Sequence, residues 1–218
     1  MPCELCFTQC SYPLKNFGLK LCVACIDELS ELSCSPHEIN TIEWASTEGG
    51  NTAKVDSLFW YRGTVRSLII AAKVKNDISA LKTLLQIYLA EIERKSGTLD
   101  FNYVMPCPSS LWSRIHGKID VAWFLAENMA RIYKIEFIRP PRRIYWNLKK
   151  RSQTERPTDT SLVGPNSSIT PIAPTCFQSH CLIIDDVVTT GTTLKRCIEN
   201  APKLNVGSFS CLTFARAR

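Results

Sequence analysis

The sequence predicts an α/β protein, a mainly parallel sheet flanked by helices, with a small four-cysteine module at its N-terminal end. Three observations lead there. Cys181-Leu182-Ile183-Ile184 is a short apolar run of the size of a strand buried on both faces. It is closed by the acids Asp185 and Asp186, then Val187 and Val188, then the loop Thr189-Thr190-Gly191-Thr192-Thr193. Leu194, Cys197 and Ile198 follow at helical spacing, which predicts a helix N-capped by Thr192 or Thr193. Other strand-like and helix-like segments occupy most of residues 55–138. Finally, Cys3-x-x-Cys6 and Cys22-x-x-Cys25 stand fifteen residues apart, the pattern of two knuckles converging on one tetrahedral Zn²⁺.

A chain of 218 residues is long enough for one ordinary domain and a small module. Hydrophobic content of 45% and charged content of 21% are those of a globular protein, and no apolar stretch has the length of a membrane span. The first residues, with Glu4 and Lys15 among the cysteines, do not read as a signal peptide, so the expected location is the cytoplasm. Eleven cysteines in a reducing compartment favour metal ligation over a disulfide framework; Cys10 and Cys34 belong to neither pair. The net charge of +6 permits an anionic partner without requiring one.

In order along the chain, residues 1–35 form the zinc-ribbon-like module. Such a small unit buries little surface, so bound metal would supply much of its folding energy. Residues 36–54, with Pro36, Ser46, Gly49, Gly50 and Asn51, read as a linker with room for one short strand, and residues 55–218 as the main domain. Val55 to Tyr61 is a strand. Val65, Leu68, Ile69 and Ala72 define one helix, and Ile78, Leu81, Leu85, Tyr88, Leu89 and Ile92 a second, broken near Lys75-Asn76-Asp77. Lys73 and Lys75 at the end of the first suit dipole compensation on a solvated face. Phe101 to Cys107 is a buried strand ending in Pro106-Cys107-Pro108-Ser109-Ser110, either a phosphate-holding turn or an ordinary strand-to-helix connection. Ala122, Leu125, Ala126, Met129, Ala130 and Tyr133 give an amphipathic helix, Ile135 to Ile138 a short strand, and Ser208 to Phe214 the last strand.

Residues 139–156 are the most basic stretch, with Arg139, Arg142, Arg143, Lys149, Lys150, Arg151 and Arg156 around Tyr145 and Trp146. Arginines interleaved with aromatics suit single-stranded nucleic acid, and equally a pyrophosphate or a solvated loop. On the nucleic-acid reading, Trp146 or Tyr145 stacks on a base and Lys149, Lys150 and Arg151 neutralise phosphates. Residues 157–175 read as a connection rich in Pro, Ser, Thr and Asn.

The string from Leu182 to Thr193 resembles the phosphoribosyl-pyrophosphate (PRPP) motif of type I phosphoribosyltransferases, with every position of the pattern filled. The resemblance implies their Rossmann-like fold. It implies that Asp185 and Asp186 hold ribose hydroxyls, that Thr189 to Thr193 hold the 5′-phosphate with Val187 and Val188 also in the PRPP site, and that Mg²⁺ accompanies PRPP. It also puts Lys73, Pro108 and Ser109 at the PRPP site. Together with the cysteine module, Tyr61-Arg62-Gly63, Pro106-x-Pro108 and Gln153-Thr154, the chain resembles the ComF family of competence proteins. Where that family usually has Arg-Gly-Phe-Asn-Gln, this chain has His116-Gly117-Lys118-Ile119-Asp120. The resemblance implies a protein of natural transformation that binds PRPP or a nucleotide and handles single-stranded DNA, alongside other DNA-uptake proteins. The alternative is an active transferase moving ribose 5-phosphate from PRPP to a nucleobase or another nucleophile.

Overall fold

The computed structural model describes residues 1–11, 14–34, 53–95, 101–108, 117–140, 179–201 and 206–217. The chain begins with an antiparallel hairpin, β1 (Leu14–Asn16) and β2 (Leu19–Leu21), turned by Phe17 and Gly18 at φ 52° and 74°. Helix α1 (Val23–Leu32) follows directly. Then come β3 (Lys54–Trp60), α2 (Gly63–Val74) and α3 (Ile78–Lys95). After β4 (Tyr103–Pro106) come α4 (Val121–Tyr133) and the two-residue β5 (Glu136–Phe137). The fold closes with β6 (His180–Val188), α5 (Thr192–Asn200) and β7 (Ser208–Arg216).

Five strands form one sheet in the order β3-β7-β6-β4-β5, and every pairing is parallel. β6 is central, and Cys181 to Ile184 are each no more than 2% exposed, as a strand covered on both faces requires. Leu182 and Ile184 join the apolar cluster built with α1, α2, α3 and α4. Cys181 and Ile183 join the second cluster, with Leu194, Cys197 and Ile198 of α5. The α/β class, the parallel sheet and the helical flanks are thus as the sequence predicts.

The chain reverses its direction of travel across the sheet at the middle. β4 leads through α4 to β5 on one side, and β6 leads through α5 to β7 on the other. The carboxyl ends of β4 and β6 therefore flank a topological switch point, where open α/β sheets leave a crevice for ligands. Local chemistry deepens it. β4 pairs with β6 only as far as Pro106 opposite Ile184, and Cys107 N–H makes the last contact, to Ile184 O at 2.6 Å. β7 carries on, pairing as far as Arg216 opposite Val188.

Two local expectations are corrected. The acid pair does not end the central strand. β6 continues through Asp185 and Asp186 to Val188, because β7 still offers a full hydrogen-bonding edge there. Nor is a threonine the N-cap of α5. Gly191 takes that place at φ 69° and ψ 4°, and Thr192 is already the first helical residue. The left-handed backbone at Gly191 strains any side chain, so glycine is what lets the strand turn directly into the helix. The basic stretch from residue 141 onward, the linker at 36–52 and Ser109 lie outside the described residues.

The N-terminal elements pack onto the sheet. Leu5, Leu19, Leu21, Cys25 and Leu29 belong to the same buried cluster as Phe59, Val65 and Tyr88. At the end of α1, Ser33 bridges Phe59 antiparallel, and Cys34 N–H donates to Leu58 O at 2.9 Å. This covers part of the otherwise open edge of β3. On the far side, α4 is capped by Asp120, whose side chain accepts from Trp123 N–H at 3.0 Å. Asp120→Ala should cost about 1 kcal/mol of stability, read as a lower midpoint in denaturant with an unchanged slope.

Candidate strand-end site and cysteine cluster

The crest of β6 carries two carboxylates that alternate across the sheet. Asp186 lies on the face of α2 and is only 5% exposed. Its Oδ2 pairs with Nζ of Lys73, in the last turn of α2. Burial works to lower the Lys73 ammonium, but the charges of Asp186, and beyond it Asp185 and Asp120, prevail and hold it above its ordinary value. Lys73 therefore does more than compensate a helix dipole: it neutralises one member of the acid pair.

Asp185 is half-buried on the face of α5. Its Oδ1 accepts the Asp186 N–H at 2.8 Å, taking a backbone donor where the ladder toward β4 has stopped. Desolvation drives its carboxyl well above the usual carboxylate range. The Asp186 charge adds to the rise, and Lys73 and the Asp186 N–H only partly oppose it. Below it, Cys107 and Cys197 place their sulfurs 3.4 Å apart, both buried. The hydrogen bond to Cys197, burial and nearby Asp185 keep the Cys107 thiol protonated far beyond its ordinary value.

The loop beyond the strand is short and rich in hydroxyls. Thr189 and Thr190 are exposed, and Thr192 and Thr193 are half-buried. Thr190 Oγ1 and Thr192 Oγ1 are 2.9 Å apart. No side chain caps α5 at Gly191, so the positive end of the helix faces the loop. Val187 is half-buried, Val188 is packed in the cluster with Leu194, and Pro108 is buried at the end of β4. The site thus joins a paired cation, one neutralised acid, one strained acid and a cluster of hydroxyl donors. Such a set can hold vicinal hydroxyls, a divalent cation and a phosphate together.

The second constellation is at the N-terminal end. The Sγ atoms of Cys3, Cys6, Cys22 and Cys25 all lie within 4.8 Å of one another. Four thiolates at about 2.3 Å from a tetrahedral Zn²⁺ stand about 3.8 Å apart, and Cys6 Sγ lies 3.8 Å from Cys22 Sγ. The donor set therefore fits a metal ion such as zinc. Glu4 N–H donates to Lys20 O at 2.9 Å and Cys22 N–H to Cys3 Sγ at 3.3 Å, which holds the Cys3–Cys6 turn against the start of α1, where Cys22 is the N-cap and Cys25 lies in the first turn. The side chain of Thr8 lowers the Cys6 thiol to about 6. Burial, then the neighbouring thiols, push Cys25 far up. Sulfurs so close resist sharing four negative charges unaided, which is what a divalent cation resolves. Cys10 is not part of this group, and its thiol donates to Met1 O at 3.4 Å. Cys34 is buried beside β3, also outside the group.

Helix α1 and the β1–β2 hairpin escape the sequence reading, although Cys25, Ile26, Leu29 and Leu32 carry a helical period. Of the residues proposed for DNA, Trp146, Lys149, Lys150 and Arg151 all lie outside the described residues. No helix among the described residues is long and apolar enough to cross a membrane. Neither a scan against protein-family models nor a search of curated proteins returned a match.

Two outcomes follow from the geometry. Purified protein should contain one zinc per chain by metal analysis, lost when Cys22 and Cys25 are both changed to Ser. Asp185→Asn should stabilise the free protein at neutral pH. A carboxyl raised by folding contributes its stability below the unfolded value of 3.8 and loses it as pH climbs through the folded value. Removing the charge should therefore raise stability at pH 7, read as a higher Tm. The gain should vanish below pH 4 in thermal melts.

Proposed function

We propose that this is a type I phosphoribosyltransferase-like protein of ComF type that binds PRPP with Mg²⁺ at the carboxyl end of β6. The observation that carries the reading is buried Asp186 paired with half-buried Lys73, beside a second acid and a threonine loop, at the switch point of a parallel sheet. Asp185 and Asp186 would accept the ribose 2- and 3-hydroxyls, and Thr189 to Thr193 with the start of α5 would take the 5′-phosphate. A ribose hydroxyl or metal ion engaging Asp186 would free Lys73 to face the pyrophosphate. Magnesium would supply charge neutralisation along the pyrophosphate. Zinc in the cysteine cluster is structural in this reading, because all four ligands come from the protein.

The cellular role in this proposal is the handling of single-stranded DNA in natural transformation. It is supported by the basic, aromatic-containing stretch 139–156 and by the resemblance of the sequence to ComF proteins.

Calorimetric titration tests the site. PRPP with Mg²⁺ should bind wild-type protein, Asp185→Asn with Asp186→Asn should weaken binding severely, and Thr190→Ala should cost about 1–2 kcal/mol. Equal affinity in the wild type and the double variant would exclude it. Fluorescence anisotropy in a salt series tests the DNA role. Changing Lys149, Lys150 and Arg151 to Ala should flatten the salt slope for single-stranded DNA by roughly 2 units. Trp146→Ala should weaken binding at every salt concentration, by about 1–3 kcal/mol. An unchanged affinity and slope in the triple variant would remove DNA contact from this stretch.

A further inference from the structure

The cysteine cluster and the acid pair belong to different elements, and helix α2 stands between them. Cys22 and Cys25 lie at the start of α1, and Glu28 follows Cys25 on the same helix. The Glu28 carboxylate leaves its own module and grips the start of α2. Thr64 N–H donates to Glu28 Oε1 at 2.9 Å, and the Thr64 hydroxyl donates to Oε2. Among the described residues α2 has no other side-chain cap: the side chain of Arg62 makes no capping bond, and the first turn contains no acid. The negative charge that satisfies the positive end of α2 therefore comes from the helix that carries two of the four cysteines.

Gly63 is shaped to this contact. It sits at φ +49°, and a Cβ there would run into the Glu28 carboxylate. The other end of α2 carries Lys73, whose Nζ holds Asp186. The twelve residues of α2 span about 18 Å as a stiff rod. One end touches Glu28, on the helix that carries Cys22 and Cys25, and the other touches Asp186.

We infer that the cysteine site and the strand-end site are energetically coupled through Glu28 and α2, so that metal in the first raises the affinity of the second for a sugar pyrophosphate. This rests on the PRPP reading given above. Metal fixes the first turn of α1 and with it the placing of Glu28. Glu28 sets the start of α2, and the register of α2 sets where the Lys73 ammonium stands relative to Asp186. Glu28 is a positioning residue, since it touches neither ligand. The coupling must be reciprocal, so PRPP must raise zinc affinity by the factor by which zinc raises PRPP affinity.

The test uses the full-length, zinc-loaded protein. Calorimetry gives the Kd for PRPP with Mg²⁺ in wild type, in Glu28→Gln and in Thr64→Val. Chelator competition gives the zinc affinity with and without PRPP, with the Asp185→Asn, Asp186→Asn variant correcting for zinc bound by free PRPP. We expect Glu28→Gln to weaken PRPP about fivefold or more while one zinc per chain is retained. PRPP should tighten zinc by a matching factor in wild type and not in Glu28→Gln. A purely structural cap would lower Tm without this reciprocity. Normal PRPP binding in wild type, with zinc affinity indifferent to PRPP, overturns the coupling and leaves the PRPP site standing. Failure of zinc-loaded wild type to bind PRPP at all overturns both. Should Glu28→Gln not fold, the reciprocity measured on wild type decides alone.

Discussion

Two carboxylates at the crest of a buried strand are an electrostatic problem, and the contact between Lys73 and Asp186 is the solution on which the site depends. Adjacent acids in a half-dry environment repel each other and resist ionisation. Alternation along the strand sends them to opposite faces, and Lys73 answers the more buried one. Among the described residues Asp185 has no cation of its own, and it keeps its proton to unusually high pH. The strand end is thus strained in the free protein in a way that a bound cation or a ring of hydroxyls would relieve. Binding sites commonly hold such uncompensated charge in reserve.

The same pair gives the helices a reason for their placement. α2 must end where its lysine can reach β6, and Asn76 at φ 55° lets the chain turn at once into α3. The Asn76 side chain donates to Gly117 O at 3.3 Å and accepts from Ile119 N–H at 3.1 Å. This pins the segment before α4 beside Lys73. Asp120 closes the arrangement twice over, as the cap of α4 and as a further negative charge near the ammonium.

Much of this was legible in the residues. The run Cys181–Ile184 announced a doubly buried strand, and the paired cysteines announced a cluster that the fold brings together. The break between α2 and α3 fell where Lys75-Asn76-Asp77 placed it. What escaped depended on contacts between residues distant in sequence. The extent of β6 past its acids is dictated by β7, which still pairs after β4 has stopped. The role of Lys73 comes from an aspartate more than a hundred residues away, and nothing local separates it from a solvated lysine. The cap of α2 is equally invisible, since nothing near Glu28 in sequence points to Thr64. Gly191 was noticed as a loop residue, but only its left-handed backbone made it the cap.

The order of the strands also has a temporal side. β3, the first strand of the sheet, finds its neighbour in β7, the last. During synthesis, α2 and α3 can coil as soon as they emerge, and β4 can gather α4 and β5 around it. β3 must wait until residues 208–216 exist, about 150 residues later. Until then its pairing edge toward β7 stays open, and long-range parallel pairing is the slow, aggregation-exposed kind. Its other edge is already engaged by the bridge from Ser33 to Phe59. The N-terminal segment, made before β3, is thus available to cover part of one flank of that strand while the rest of the sheet is made.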